Sequence, residues 1–362
     1  MDFELSADQV ALQEAARDVL DARAGHDQVR AHLGSGRPYD EILWRALADQ
    51  GWLGIALAEA EGGVGLGWVE AAVLLEQVGR HTAPVPFLPS LLALTALASA
   101  ERPPTDWVAA LAAGERIGCV AWSTHPNAMV ATPAGRGDGW TVSGRMGPVE
   151  GAAVADIAVV VAPGGAFAVE LGAGARPPAE PAMDGTRVLS WLTLDDAPAT
   201  FLGGEELATG ILDRGAVGAS AEMLGGADRV LEMAVQYAKD RVQFGQPIGS
   251  FQAIKHRCAD MLVDVEGMRS ATWYAAWAIS AEDPEGAAAA STAKVWSSDA
   301  SRRVMASGLQ VHGGIGFTWE HDLHLYMKRA QFDRLSYGDA GYHRERLAGL
   351  LRARLLSGGS IF

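Results

Sequence analysis

Cysteine, long apolar runs and excess positive charge are all scarce in this chain of 362 residues. Only Cys119 and Cys258 occur, with no metal-type spacing and no disulfide framework, so two reduced thiols are expected. The longest apolar stretch, from Leu88 to Ala100, is too short to span a bilayer and is interrupted by Ser and Thr. A net charge of -15 argues against a nucleic-acid-binding surface, because phosphate binding needs clustered Lys and Arg.

The bulk composition is that of a folded, soluble protein. Apolar residues make up 49% of the chain and charged residues 20%, which is typical of globular domains. A chain of this length predicts two or three packed regions, since a single compact core stops growing before this size. The first residues, Met1 to Leu5, lack the basic and apolar parts of a signal peptide, so we expect a cytoplasmic protein with no membrane insertion.

Three regions with different hydrophobic patterns follow one another along the chain. Apolar residues recur at helical spacing from Ser6 to about Gly114 and again from Leu207 to Leu356. Between them, short β-prone runs alternate with Gly, Pro and Asp turns: Ile117 to Trp122, Trp140 to Ser143, Ile157 to Val161, Ala166 to Val169 and Leu189 to Leu194. The order helices, strands, helices predicts an α+β protein rather than an alternating α/β sheet. We predict domains at residues 1–116, 117–203 and 204–362.

A motif built on Arg241 follows the first long helix of the C-terminal region. Phe244 and Gly245 come three and four residues after the arginine, and Gln252 lies seven residues beyond the glycine. An arginine that leaves the end of a helix can grip a diphosphate through charge-assisted hydrogen bonds. Alone, the motif fits a helix-turn-helix with an exposed arginine equally well.

A second motif is a glycine turn, Gln310-Val-His-Gly-Gly-Ile-Gly316. Gly313 and Gly314 would let backbone amides approach a phosphate closely, because no side chain blocks the approach. A glycine pair after a helix is also an ordinary C-terminal cap, so this motif means little in isolation.

Together the two motifs resemble those of the acyl-CoA dehydrogenase family, and the resemblance covers essentially the whole chain. It implies the family's fold: an N-terminal helical domain, a middle β-sandwich or barrel domain and a C-terminal four-helix bundle. It also implies a flavin cofactor, FAD, held mainly by a neighbouring subunit. The residues expected to contact the ADP half of that FAD are Arg241, Phe244, Gln252, Gln310, Gly313 and Gly314.

The chain departs from this family where the catalytic base should stand. The family removes an α-proton from an acyl-CoA thioester with a glutamate, but Tyr337 occupies that position in Leu335-Ser-Tyr-Gly-Asp339. Tyrosine has an unperturbed pKa of about 10 and is a poor base at neutral pH. The other position used within the family is Gly215 here. No catalytic residue is therefore assigned, and Asp339, two residues past the expected base, is only a weak candidate.

The β region has also changed. Where the family places hydroxyls and small residues against the flavin ring, this chain has Ser123 to Met129 and Gly147-Pro-Val-Glu150. A negative charge on Glu150 near the ring would be unfavourable, since reduced flavin is itself anionic. The resemblance therefore implies that this chain holds no flavin ring of its own.

The pattern is similar to the smaller, non-catalytic subunit of bacterial heteromeric (α2β2) acyl-CoA dehydrogenases. That similarity implies a paralogous catalytic subunit, a bulky or steroid-derived acyl-CoA substrate, and electron-transfer flavoprotein as partners. Two alternatives stay open: a homomeric enzyme with an unrecognised base such as Asp339 or Glu150, and a non-catalytic member that binds CoA thioesters or acts as a scaffold. His321 and His324 have the spacing of a helical metal pair, but their context favours structural or surface roles, so no metal is expected.

Overall fold

The computed structural model describes residues 4–125, 127–134 and 139–358. Three of the residues used to argue against a signal peptide (Met1, Asp2 and Phe3) lie outside these ranges, as do Pro126 of the β-region stretch and the outermost residues of the first and last predicted domains. Within the described ranges, no helix has the length and apolar character needed to cross a membrane.

Six helices in the described residues precede the first strand. They are α1 (Ala7–Arg23), α2 (His26–Ser35), α3 (Glu41–Asp49), α4 (Trp68–Arg80), α5 (Phe87–Ala98) and α6 (Thr105–Ala112). Helix α1 begins where a capping box predicts it, because the Ser6 hydroxyl accepts from the Gln9 amide and the Gln9 side chain accepts from the Ser6 amide. Asp40 caps α3 in the same way, accepting from two backbone amides.

The middle region forms one six-stranded sheet. Its strands are β1 (Gly118–Ala121), β2 (Met129–Pro133), β3 (Trp140–Glu150), β4 (Ile157–Ala162), β5 (Gly165–Glu170) and β6 (Leu189–Gly203), in the order β1-β4-β5-β6-β3-β2. Strand β1 pairs with β4 in parallel, and the other neighbours are antiparallel. All the described strands of this region thus share a single sheet, where the family resemblance led us to expect a sandwich or barrel.

Five helices and a short hairpin complete the described chain. These are α7 (Glu205–Asp240), the hairpin of β7 (Val242–Gln243) and β8 (Gln246–Pro247), α8 (Gln252–Ser280), α9 (Gly286–His312), α10 (Leu323–Leu335) and α11 (Ala340–Leu356). One apolar core joins the second half of α7 to α8, α9 and α10, with Leu224, Met261, Val304 and Tyr326 all buried. The predicted α+β class and the helical bundle are confirmed.

The chain divides into two compact units. The first comprises Met1–His26, Ala72–Ala83 and Ala216–Phe362, and the second comprises Asp27–Ala71 and Pro84–Gly215. The three-domain division predicted from sequence is a different partition, and its boundaries stay a prediction.

Two glycines bring helices very close inside the first unit. A Cβ atom on Gly225 of α7 would lie 1.8 Å from the Glu76 carbonyl oxygen of α4, and one on Gly79 of α4 would lie 2.0 Å from the Glu222 carbonyl oxygen of α7. Both distances are far inside van der Waals contact, so these two helices pack backbone against backbone here. Nearby, Arg329 and Glu222 form an ion pair at 3.0 Å that is almost fully buried.

Candidate functional site

The Arg241 motif lies where α7 ends. Arg241 directly follows the last helical residue, and its amide donates to the Tyr237 carbonyl at 2.8 Å, which continues the helical pattern by one bond. The Arg241 carbonyl accepts from the Ile248 amide at 2.8 Å and so closes the base of the β7–β8 hairpin. Phe244 occupies the hairpin tip with a φ of 54° and a side chain that is 90% exposed. An aromatic side chain this exposed, on a backbone this constrained, is a sign of a contact surface.

The remaining predicted contacts come from two other helix ends. Gln252 is the first residue of α8, and Gln310 lies in the last turn of α9; both are exposed. Gly313 ends α9 with φ 61° and ψ -139°, a conformation that is essentially restricted to glycine. Gly314 follows in a short 3₁₀ turn, Gly313–Phe317.

Side-chain contacts hold the two motifs at the same end of the helical bundle. The rings of Tyr237 and His312 stack with centroids 4.8 Å apart, which joins the last turn of α7 to the end of α9. The Arg257 guanidinium reaches the Ser307 hydroxyl at 3.5 Å and joins α8 to α9. Arg241 and Gly313 follow Tyr237 and His312 by four residues and one residue, so both motifs emerge beside this stack.

The surface that results fits a diphosphate. Among the described residues, no carboxylate pairs with the Arg241 guanidinium and no hydrogen bond engages it. A Cβ atom added to Gly313 or Gly314 would meet nothing within 4 Å, so the chain's own packing does not fill the space beside these two residues. A free guanidinium and an unfilled glycine turn at the same end of the bundle suit an anionic ligand.

The segment at the expected base position is held firmly through its backbone. Tyr337 is 9% exposed with a φ of 54°, and its carbonyl accepts from the His343 Nε2 at 2.8 Å. The buried Lys294 ammonium donates to the last carbonyls of α10, at 2.7 Å to Asp333 and 3.1 Å to Arg334. Burial lowers the pKa of His343 to about 4 and that of Lys294 to about 7. The backbone of the segment is held by these hydrogen bonds, and the segment presents a tyrosine instead of a carboxylate.

Neither the weak candidate Asp339 nor the other family base position, Gly215, offers a usable base. Asp339 is exposed and caps α11, where its Oδ1 accepts from the Tyr342 amide at 2.8 Å. This cap explains the aspartate structurally. Gly215 and its neighbour Ala216 are buried within α7.

Glu150 has a counter-ion that the sequence did not reveal. Its carboxylate meets the Arg187 Nε at 2.8 Å, with side chains only 10% and 2% exposed. The cavity that contains this pair has a volume of about 10 Å³, hardly room for one water molecule. The sequence alone indicates an uncompensated charge at Glu150; the charge is in fact paired, and this cavity cannot admit a flavin ring.

The C-terminal histidines serve local packing. His321 precedes α10 and accepts from the Leu323 amide at 3.2 Å through Nδ1, whereas His324 lies on α10 with its ring against Trp319. The two therefore do not share a helix. Across the described residues, no group of three or more His, Cys, Asp or Glu is arranged to hold a metal ion.

Comparisons with known proteins agree with this geometry. Residues 6–115 match the acyl-CoA dehydrogenase N-terminal domain, and residues 203–351 match the acyl-CoA dehydrogenase C-terminal domain. The chain belongs to the acyl-CoA dehydrogenase family. The predicted enzyme class, an FAD-dependent oxidoreductase acting on acyl-CoA, is thereby confirmed at the level of the family.

Similar proteins include several mycobacterial acyl-CoA dehydrogenases. Acyl-CoA dehydrogenase IpdE2 of Mycobacterium tuberculosis is 38% identical over 88% of this chain and 89% of its own length. A chain of the ChsE4-ChsE5 complex from the same organism superposes with a TM-score of 0.90 at 31% identity, covering 97% of this chain and 99% of that one. A chain of the Tcur3481-Tcur3483 steroid ACAD superposes with a TM-score of 0.89 at 33% identity, covering 96% and 99%. The resemblance to heteromeric members of the acyl-CoA dehydrogenase family is confirmed, and the roles of individual residues stay predictions.

Proposed function

We propose that this chain is the non-catalytic subunit of a heteromeric acyl-CoA dehydrogenase. It contributes the residues that bind the ADP half of FAD to a site shared with a paralogous catalytic subunit, and it carries out no proton transfer itself. One observation carries the proposal. The unpaired Arg241 guanidinium and the open Gly313-Gly314 turn lie at the same end of the bundle, where the Tyr237–His312 stack joins α7 to α9.

Each residue of this surface has a distinct part in the proposal. Arg241 pairs with the diphosphate, and the backbone at Gly313 and Gly314 approaches it closely. Gln252 and Gln310 donate amide hydrogen bonds to the ADP half, and the exposed Phe244 ring packs against the cofactor or the partner subunit. The chemistry that bound FAD supplies is acceptance of a hydride from the acyl chain. This chain's residues orient the cofactor and exclude water from its diphosphate.

The arrangement of carboxylates disfavours the homomeric alternative. Asp339 is committed to capping α11, and Glu150 is committed to Arg187, so neither is free to take the α-proton of an acyl thioester. The base therefore comes from the partner subunit. A bulky acyl group is supported by the similarity to a steroid ACAD, and electron-transfer flavoprotein is the acceptor that the family resemblance implies. A cytoplasmic location belongs to the same proposal.

Flavin content of the purified chain tests the division of roles. The chain is purified alone and after co-expression with a paralogous acyl-CoA dehydrogenase subunit, and protein-bound flavin is measured by absorbance. We expect flavin only in the co-expressed complex. Stoichiometric FAD in the chain alone would refute the proposal.

Replacing Arg241 tests the half-site within the complex. A hydrogen bond to a charged group contributes about 1.5–3 kcal/mol, so Arg241→Ala is expected to weaken FAD binding by about 10- to 100-fold. Arg352→Ala is the matched control, since Arg352 is also exposed, lies on α11 and forms no ion pair among the described residues. Equal flavin retention in the two variants would contradict the assignment of Arg241.

A further inference from the structure

A second cavity lies entirely within the second compact unit. It has a volume of about 500 Å³ and is lined by the end of α2 and the loop between β5 and β6. This volume is within the range of about 300–1,000 Å³ that is usual for small-molecule sites. The charged and polar side chains along it are those of His32, Arg37, Glu180 and Arg187.

His32 is a buried polar group that lines this cavity without a partner. His32 is only 7% exposed, and within the described chain neither of its ring nitrogens forms a hydrogen bond. Burial lowers the pKa of His32, so the ring is neutral at pH 7 and offers one donor and one acceptor. The imidazole nitrogens are therefore available to a ligand in this cavity.

Arg37 supplies a free positive charge beside that imidazole. Its side chain is exposed, and no described residue forms an ion pair with it. Arg37 and His32 both line this cavity. Arg187 also lines the cavity, but its guanidinium is paired with Glu150 at 2.8 Å. Arg37 is therefore the cation available to a ligand.

Most of the remaining wall is apolar. Pro38, Pro177, Pro178, Val154 and Val188 contribute rings and branched side chains to it. A rigid apolar wall beside one free guanidinium and one neutral imidazole matches an amphipathic anion better than a fully polar one. Glu180 also lines the cavity, and its carboxylate would repel a second negative charge on the ligand.

We propose that this cavity binds a small monocarboxylate with a hydrocarbon body, of the fatty or cyclic acid class. The carboxylate pairs with Arg37 and accepts a hydrogen bond from His32, and the hydrocarbon packs against the proline and valine wall. The site is separate from the FAD half-site, since all of its lining residues belong to the other compact unit. The proposal does not depend on the function proposed above.

Decanoate binding to the full chain tests this site. Titration calorimetry measures the affinity, and proton NMR follows the His32 ring resonance, which is assigned by its loss in His32→Phe. We expect saturable binding of one decanoate per chain with a shift of the His32 resonance. Decanol, which lacks the charge, and decanedioate, which has a second one, are each expected to bind at least tenfold more weakly.

Three substitutions test which residues contribute to decanoate binding. Arg37→Ala is expected to weaken decanoate binding at least tenfold, whereas Arg45→Ala leaves it unchanged, because Arg45 is also exposed but does not line the cavity. Ala179→Trp fills the cavity from an exposed loop position without disturbing the core, and it should abolish binding. The proposal is overturned if decanoate does not bind saturably, if decanol binds as tightly, or if Arg37→Ala and Arg45→Ala behave alike.

Discussion

Replacing Glu150 by threonine exchanges a buried carboxylate for an uncharged hydroxyl, and it should strongly destabilise this chain. The Glu150–Arg187 pair is 2.8 Å long and nearly buried. Threonine leaves the Arg187 guanidinium in place without its carboxylate. The guanidinium also contacts the Val85 and Thr186 carbonyls, at 3.4 and 3.3 Å. These are long contacts and cannot replace a charge partner.

The magnitude follows from the geometry. Two unit charges 2.8 Å apart attract by about 6 kcal/mol at an effective dielectric constant near 20. Desolvation offsets much of that attraction, but replacing Glu150 takes a buried carboxylate partner away from the Arg187 charge. The expected loss is therefore about 3–5 kcal/mol. Removing both charges, in Glu150→Thr with Arg187→Met, should return stability to within about 1 kcal/mol of the original chain.

Urea unfolding followed by tryptophan fluorescence measures both variants. The double variant is the internal control, because it keeps the threonine at position 150 and removes the Arg187 charge. A single-variant loss below about 1 kcal/mol would show that the pair is not a buried structural interaction. The same conclusion would hold if the double variant were no more stable than the single variant. We also expect that Glu150→Thr does not enable the chain alone to bind FAD.

Three further predictions address the glycine turn, the base-position segment and the helix crossing. Gly314→Asp should leave the fold intact, since an added Cβ meets nothing within 4 Å, yet its carboxylate should weaken FAD binding to the complex about tenfold; Gly349→Asp, equally open on α11, is the control and should retain flavin. His343 has a folded pKa of about 4, below its unfolded value of about 6.5, so stability should fall by about 3 kcal/mol as pH drops from 6.5 to 4. His343→Asn should lose that pH dependence in urea titrations, and an unchanged slope would contradict the assignment. Gly225→Ala places a Cβ 1.8 Å from the Glu76 carbonyl and should cost about 3 kcal/mol or more in thermal unfolding, whereas Gly226→Ala, with no neighbour closer than 3.6 Å, should be tolerated.

Local patterns in the sequence predict the elements well. Helical periodicity locates the two helical regions, and all five β-prone runs begin within one residue of the start of a strand. None of these runs predicts strand β2, Met129–Pro133. It is an edge strand with mostly exposed residues, so no buried alternating face marks it. Strand β3 also runs past Ser143 to Glu150, through a Gly-Pro pair that normally indicates a turn.

Contacts between distant residues were beyond sequence reasoning. The position of Arg241 at a helix end follows from local signals, as predicted. The partner of Glu150 is Arg187, 37 residues away, and no periodic pattern links the two. The Tyr237–His312 stack and the His343 bond to the Tyr337 carbonyl are similar cases. Such pairs depend on tertiary packing, which a single sequence does not encode in any local window.

The way position 337 is held has a consequence for how this protein could change over time. The His343 ring bonds to the Tyr337 carbonyl, and the Lys294 ammonium donates to the last two carbonyls of α10. Asp339 caps the N-terminus of α11. None of these bonds depends on which side chain position 337 carries. The left-handed backbone there is already tolerated by a non-glycine residue. A single codon change could therefore exchange the tyrosine for another residue without rebuilding its support, so gain or loss of a carboxylate at this position is an accessible evolutionary step.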